Sequence, residues 1–271
     1  MRRGRAAAAL LALWMLASLG APWLAPRGYR ETDLAHRLEG PSRAHWLGTD
    51  ELGRDLASRL LYGGRASLSV AGAAVAAALL AGGLLGAGAG YRGGWPDLLF
   101  GRAVDLLMAL PGLLLAIAVV AYVGRGLGSL VLALTATAWV GYARLARSMT
   151  LSLRRREFVE ASRAQGAPAL HVLRRHLAPN LAPVLLVQCS AGAAGVILSE
   201  AGLSFLGLGI QPPRPSWGGT LASGCDYLLE APHMALCSGA VLFAVVWSLH
   251  ALGEALSERL DPRRRGGVGP L

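Results

Sequence analysis

The 271-residue sequence contains no lysine: all 26 basic residues are arginine, set against 16 acidic ones. Charged residues make up only 15% of the chain, whereas a soluble domain carries about a quarter, so an ordinary soluble enzyme or binding module is a poor fit. Without lysine, no Lys-Ser or Lys-Thr pair can close a glycine-rich phosphate loop, and no strand precedes the glycines. The chain should not hydrolyse ATP itself. Only three cysteines occur, Cys189, Cys225 and Cys237, and their spacing matches no metal-ligand pattern. They read as small residues packed among helices, with a Cys225–Cys237 disulfide left open. His250 and Glu254 share a helix face near one end but lack the two-histidine zinc pattern, and no serine–histidine arrangement stands out. No catalytic and no metal-binding residue is assigned. The net charge of +10 could suggest nucleic acid, yet the arginines sit beside apolar runs, as membrane flanks do, so no nucleic acid partner is expected.

Apolar residues make up 54% of the chain and recur in runs of roughly 20, the length that spans a bilayer. The expected fold is an all-α integral membrane protein with six transmembrane helices, at about 6–26, 67–90, 103–123, 127–145, 181–207 and 234–254. The first run has the basic start and apolar core of a signal peptide. Trp23 and Pro26 replace a small-residue cleavage site, however, so it reads as a span. In the second run Gly82, Gly86 and Gly90 are four apart and line one helix face, where a neighbouring helix can approach closely. Pro111-Gly112 predicts a kink in the third. An inside N-terminus places 17 of the 26 arginines in the segments 1–5, 91–102, 144–180 and 255–271, the positive-inside bias. Both termini are then cytoplasmic. The chain divides into a tail and first span (1–26), an extracytoplasmic segment (27–66), a core of five spans (67–262) and a cytoplasmic tail (263–271).

Charges within the spans cluster at their ends, with Asp105 near an inner end and Glu200 near an outer one. They read as interfacial groups, solvated or paired at the rim, which argues against a proton relay. Asp50, Arg54 and Asp55 tempt an acid–base or metal reading; an external helix with local salt bridges is the favoured one. Small and polar positions on the spans, Ser69, Gly72, Thr135, Thr137, Gln188 and Ser190, are candidates for a pathway or for helix packing. Gln211 to Pro215 and Trp217 read either as a docking turn or as a rigid surface loop with an interfacial tryptophan.

The loop at about 146–180 is the most informative stretch. Residues 154–165 predict a helix with Phe158, Val159, Ala161 and Ser162 on its weakly apolar side. Gly166 ends that helix and Pro168 opens a second, which closes before Pro179. Lipid attraction would favour the arginines but needs neither Glu160 nor the break at Gly166-Ala167-Pro168. An elbow that inserts into a protein groove accounts for both.

Glu160-Ala161-Ser162, Gly166 and Pro179 resemble the EAA-loop signature of bacterial ABC importer permeases. Ser162 stands where the signature has a second alanine, and Ala178 where it has leucine before the proline. HWLGTDELGRDLASRLLYGGRASL at 45–68, AGYRGGWPDLLFGRAVDLLMALPGLLLAI at 89–117 and SEAGLSFLGLGIQPPRPSWG at 199–218 are similar to the dipeptide, oligopeptide and nickel group, as the C-type member of a permease pair. The resemblance implies an inner-membrane permease that forms half of a translocation pathway for di- or oligopeptides, with nickel or a nickel chelate as the alternative cargo. It implies a homologous second permease, two ABC ATPases that hold ATP and Mg, an extracytoplasmic binding protein and membrane lipid as partners. No cofactor is implied in this chain. Phe158, Glu160, Ala161, Ser162, Gly166, Ala167, Pro168 and Pro179 would form the ATPase-coupling loop. A secondary transporter is the rival class, but it would need internal repeats and charged or discontinuous helices near the midplane, neither of which stands out.

Overall fold

The computed structural model describes residues 2–260; the expected tail at 263–271 lies outside them. Among the described residues every regular element is helical. The chain opens with α1 (Arg2–Leu19), interrupted at Gly20, and the single turn α2 (Ala21–Leu24). A compact loop follows, with one 3-10 turn at Leu34–His36.

The next helix, α3 (Leu56–Arg92), is 37 residues long and begins well before the expected 67. Asp55 caps it, accepting hydrogen bonds from Ser58 N and Ser58 Oγ at 2.8 Å each. The first turns carry Arg59 and Arg65, so the apolar run alone understated the helix. At about 1.5 Å per residue it is roughly 55 Å long, far more than the bilayer core.

In place of the expected kinked span there are two helices, α4 (Gly94–Ala109) and α5 (Gly112–Val123), set at 90° to each other. Leu110 is extended (φ −82, ψ 135), as sterics before a proline favour, and Pro111 offers no N–H to continue the ladder. The result is a break rather than a bend. The helix α6 (Leu127–Leu153) runs on eight residues beyond the expected end at 145.

After α7 (Glu157–Ala164) comes α8 (Ala169–Val172), a π turn at Leu173–Leu177, and α9 (Ala178–Phe205). These last three form one uninterrupted helical run from Ala169 to Phe205. The expected stop before Pro179 does not occur. In the wide turn the Ala178 N–H bonds the Leu173 carbonyl, directly ahead of Pro179. Widening there relieves the pressure of the proline ring on the carbonyl four residues back. Asn180 Nδ2 also reaches the His176 carbonyl at 2.7 Å. Pro183 lies inside α9. A short helix, α10 (Trp217–Asp226), and the long α11 (Pro232–Leu260) complete the chain.

Four helices are long and apolar enough to cross a membrane: α3, α6, the run ending in α9, and α11. The bent α4–α5 pair would make five, and α1 is a shorter apolar helix. The six-span expectation therefore resolves into three kinds of element. The most extensive packing is α3 on α6, with α1 and α9 against α11. The shared core is built of small and branched residues such as Ala74, Ala78, Leu130, Leu134, Ala194 and Ile197. All three cysteines are free thiols.

Candidate functional site

The elbow is a short amphipathic helix pinned by few contacts. Glu157 and Glu160 sit in the first turn of α7 and Arg163 in its last, each matched to the helix dipole. Gly166 has φ +80 and ends the helix. Its N–H bonds the Arg163 carbonyl at 2.9 Å and the Ala167 N–H bonds the Ser162 carbonyl at 3.1 Å, the paired pattern of a Schellman stop. Pro168 is the residue preceding α8, with φ −66 and ψ 152. Val159 and Val172 are fully buried and hold the two arms together. Val159 belongs to the apolar side expected of its helix, whereas Val172 carries no signal that set it apart in the sequence.

The solvent side of the elbow carries the remaining signature residues. Glu160, Ala161, Gly166, Pro168 and Pro179 are exposed, while Ser162 and Ala167 are half-buried. Phe158 is 43% exposed, its ring 5.9 Å from that of His176. Leu170 is 62% exposed and borders a concave surface of about 490 Å³ with Pro168, His171, Arg174 and Arg175. Exposed apolar side chains thus lie beside a shallow basic surface.

The elbow follows α6 and rests on the end of α3, and those two helices are themselves tightly joined. Arg163 lies 4.5 Å over the Tyr91 ring at the end of α3. Arg154, which caps α6, donates to the Gly90 carbonyl at 3.1 Å. Gly82, Gly86 and Gly90 face the α6 backbone: a Cβ at Gly90 would lie 2.8 Å from the Arg147 carbonyl, and Cβ atoms at Gly82 and Gly86 would meet α6 main-chain atoms more closely still. Arg147 holds Asp97 of α4 in a two-pronged ion pair, with nitrogen–oxygen distances of 2.6 and 3.0 Å.

At the opposite end of the bundle, Glu200 is fully buried. It accepts from Ser67 Oγ of α3 at 3.2 Å and from Ser204 Oγ at 2.9 Å. It is paired rather than solvated. Trp217 is not an interfacial tryptophan. It is fully buried, donates Nε1–H to the Leu60 carbonyl at 3.0 Å and stacks edge-on to Trp14. Only the tip of that turn, Pro212 to Arg214, is exposed.

The loop before α3 carries no helix at 50–55. Asp50 accepts from Leu52 N, Arg54 N and Arg54 Nε, the last at 2.6 Å, and pairs with Arg59 at 3.1 Å. Asp55 joins His45 at 3.0 Å as well as capping α3. These charges lock a loop, and among the described residues no group of three or more His, Cys, Asp or Glu could hold a metal.

The pathway candidates lie on α3, α6 and α9. Ser69, Thr137 and Ser190 turn their hydroxyls onto carbonyls three residues back in their own helices. Ser190 faces Gly253 of α11, whereas Gly72 looks into open space. His250, Glu254 and Asp105 are exposed.

Residues 82–266 match the family described as binding-protein-dependent transport system inner membrane component. The dipeptide transport system permease protein DppC of Alkalihalophilus pseudofirmus is 39% identical over 256 residues, covering 94% of this chain and 84% of that protein. The nickel transport system permease protein NikC of Escherichia coli is 38% identical over 258 residues, covering 95% of this chain and 93% of that protein. Among solved structures, an inward-facing conformation of the MetNI methionine ABC transporter has a similar fold, with a TM-score of 0.57 at 18% identity, covering 73% of this chain and 96% of that chain.

Proposed function

The chain belongs to the binding-protein-dependent transport system inner membrane components, as an ABC importer permease of the dipeptide, oligopeptide and nickel group, and from that premise we propose that it forms half of a peptide pathway driven through the α7–α8 elbow. Members of this family are multi-pass inner-membrane subunits that work with ATPase and substrate-binding partners. This chain would pair with a homologous second permease and two ATPases, which would hold the ATP and Mg. Both its termini would face the cytoplasm, so that the elbow does too.

The observation that carries the reading is the elbow's placement. Leu170 borders a shallow basic surface and Phe158 is exposed on the other arm, while the same elbow follows α6, runs on into α9 and rests on α3 through Arg163 and Tyr91. A partner that grips the elbow moves three long helices at once. Rigid-body motion of that kind switches a cavity between two states of access. Dipeptides or oligopeptides are the proposed cargo, on the 39% identity to DppC. Nickel is the second reading, on the nearly equal identity to NikC.

The test is reconstitution with the second permease, the ATPases and the binding protein. Single cysteines introduced between 158 and 170 should crosslink to an ATPase, and uptake of a labelled dipeptide should depend on ATP and resist competition by nickel. Uptake without any such crosslink would refute coupling through the elbow. Nickel uptake without dipeptide uptake would select the second cargo.

A further inference from the structure

Two cavities at the elbow end of the bundle share walls. The first, of about 380 Å³, is lined by Tyr91, Arg92, Arg154 and Arg163 together with Gly88, Ala169 and Leu173. The second, of about 490 Å³, is an apolar groove between α3 and α9, and it too is walled by Gly88 and Leu173. Its leucines are open to the surroundings: Leu80 is 62%, Leu84 72% and Leu186 54% exposed. Arg174 stands on its rim.

The charges of the first cavity have no acidic partner: Arg163 lies over the Tyr91 ring and Arg154 donates to the Gly90 carbonyl. Among the described residues, Arg92, Arg154 and Arg163 make no ion pair with a carboxylate. Glu157 and Glu160 of α7 do not line it. Arg92 is the last residue of α3 and Arg154 follows the last of α6, so both lie where spans end and headgroups begin. Guanidinium groups favour phosphate through charge-assisted hydrogen bonds, and basic pockets between transmembrane helices suit anionic headgroups.

We propose that the two cavities together hold one anionic phospholipid of the adjoining leaflet, its phosphate among Arg92, Arg154 and Arg163 and an acyl chain along the leucine groove. A free anion would use only the first cavity, and a helix of a second permease only the second. A lipid uses both and the wall they share. This site goes beyond the coupling role, although Leu170 and Arg174 of the elbow also wall its groove, and it rests on the chain crossing the membrane.

The full chain is placed in phosphatidylcholine nanodiscs containing phosphatidylglycerol with a photoreactive acyl chain, and labelled peptides are mapped by mass spectrometry. Label is expected on 79–88 and 173–186. Unlabelled phosphatidylglycerol should compete at least tenfold better than phosphatidylcholine. The double variant Arg92→Gln, Arg163→Gln should lose about fivefold in labelling, and Arg92→Lys, Arg163→Lys should recover most of it. The competition arm uses the unaltered chain and so stands even where a variant fails to fold. Equal competition by the two lipids overturns the proposal, as does displacement of the label by millimolar inorganic phosphate. Loss of labelling when the second permease is assembled also overturns it, by giving the groove to that subunit.

Discussion

At the residue scale, Gly166 separates backbone geometry from space. Its φ of +80 is a conformation that other residues resist, yet nothing lies within 4 Å of where a Cβ would go. Gly166→Asn should therefore be tolerated, since asparagine enters this region readily. Gly166→Val should cost about 1–3 kcal/mol in strain and re-aim the elbow. ATP-coupled uptake is expected to fall several-fold with valine and little with asparagine, with membrane insertion unchanged in both. Retained uptake with valine would show that the turn's shape is irrelevant. This stop was legible because a glycine two residues before a proline has a local meaning. Trp217 was misread for the opposite reason: a tryptophan near a span end suits an interface by composition, and only the fold brings the Leu60 carbonyl to its N–H. Glu200 likewise has partners on α3 and in its own last turns that no spacing rule would join.

At the scale of elements, the α3–α6 contact depends on the absence of side chains at three positions. Leucine at Gly86 would drive into the main chain of Ala143, and the two helices would have to separate. Overpacking of this kind costs about 1–3 kcal/mol. Gly86→Leu should lower the thermal midpoint in detergent by several degrees, whereas Gly72→Leu, which meets nothing within 4 Å, should leave it in place. The glycine spacing exposed this face in advance, since residues four apart share a side of a helix. The helix limits were harder to read. Hydropathy could not see the polar first turns of α3, and it could not separate a kink from the 90° break at Pro111. Pro179 looked like a boundary because it removes a hydrogen bond, but a widened turn accommodates its ring.

At the scale of the whole molecule, motion delivered at the elbow has a continuous route to the far side. The run from Ala169 to Phe205 holds 37 residues without a joint, about 55 Å at the α-helical rise. Its elbow end shares a cavity with Tyr91 and Arg163, and Glu200, little more than one turn from its far end, accepts a hydrogen bond from Ser67 of α3. Such a rod fixes azimuth as well as distance. Each added residue would rotate everything beyond it by about 100°. One alanine inserted between Leu177 and Leu185 should swing Glu200 out of reach of Ser67, two should turn it to the reverse side, and four should bring it nearly back while lengthening the rod by about 6 Å. Heat resistance across a series of one to four insertions is therefore expected to rise and fall with the helical period, least damaged at four. A monotonic decline would mean that the two ends of this rod are not in register through it.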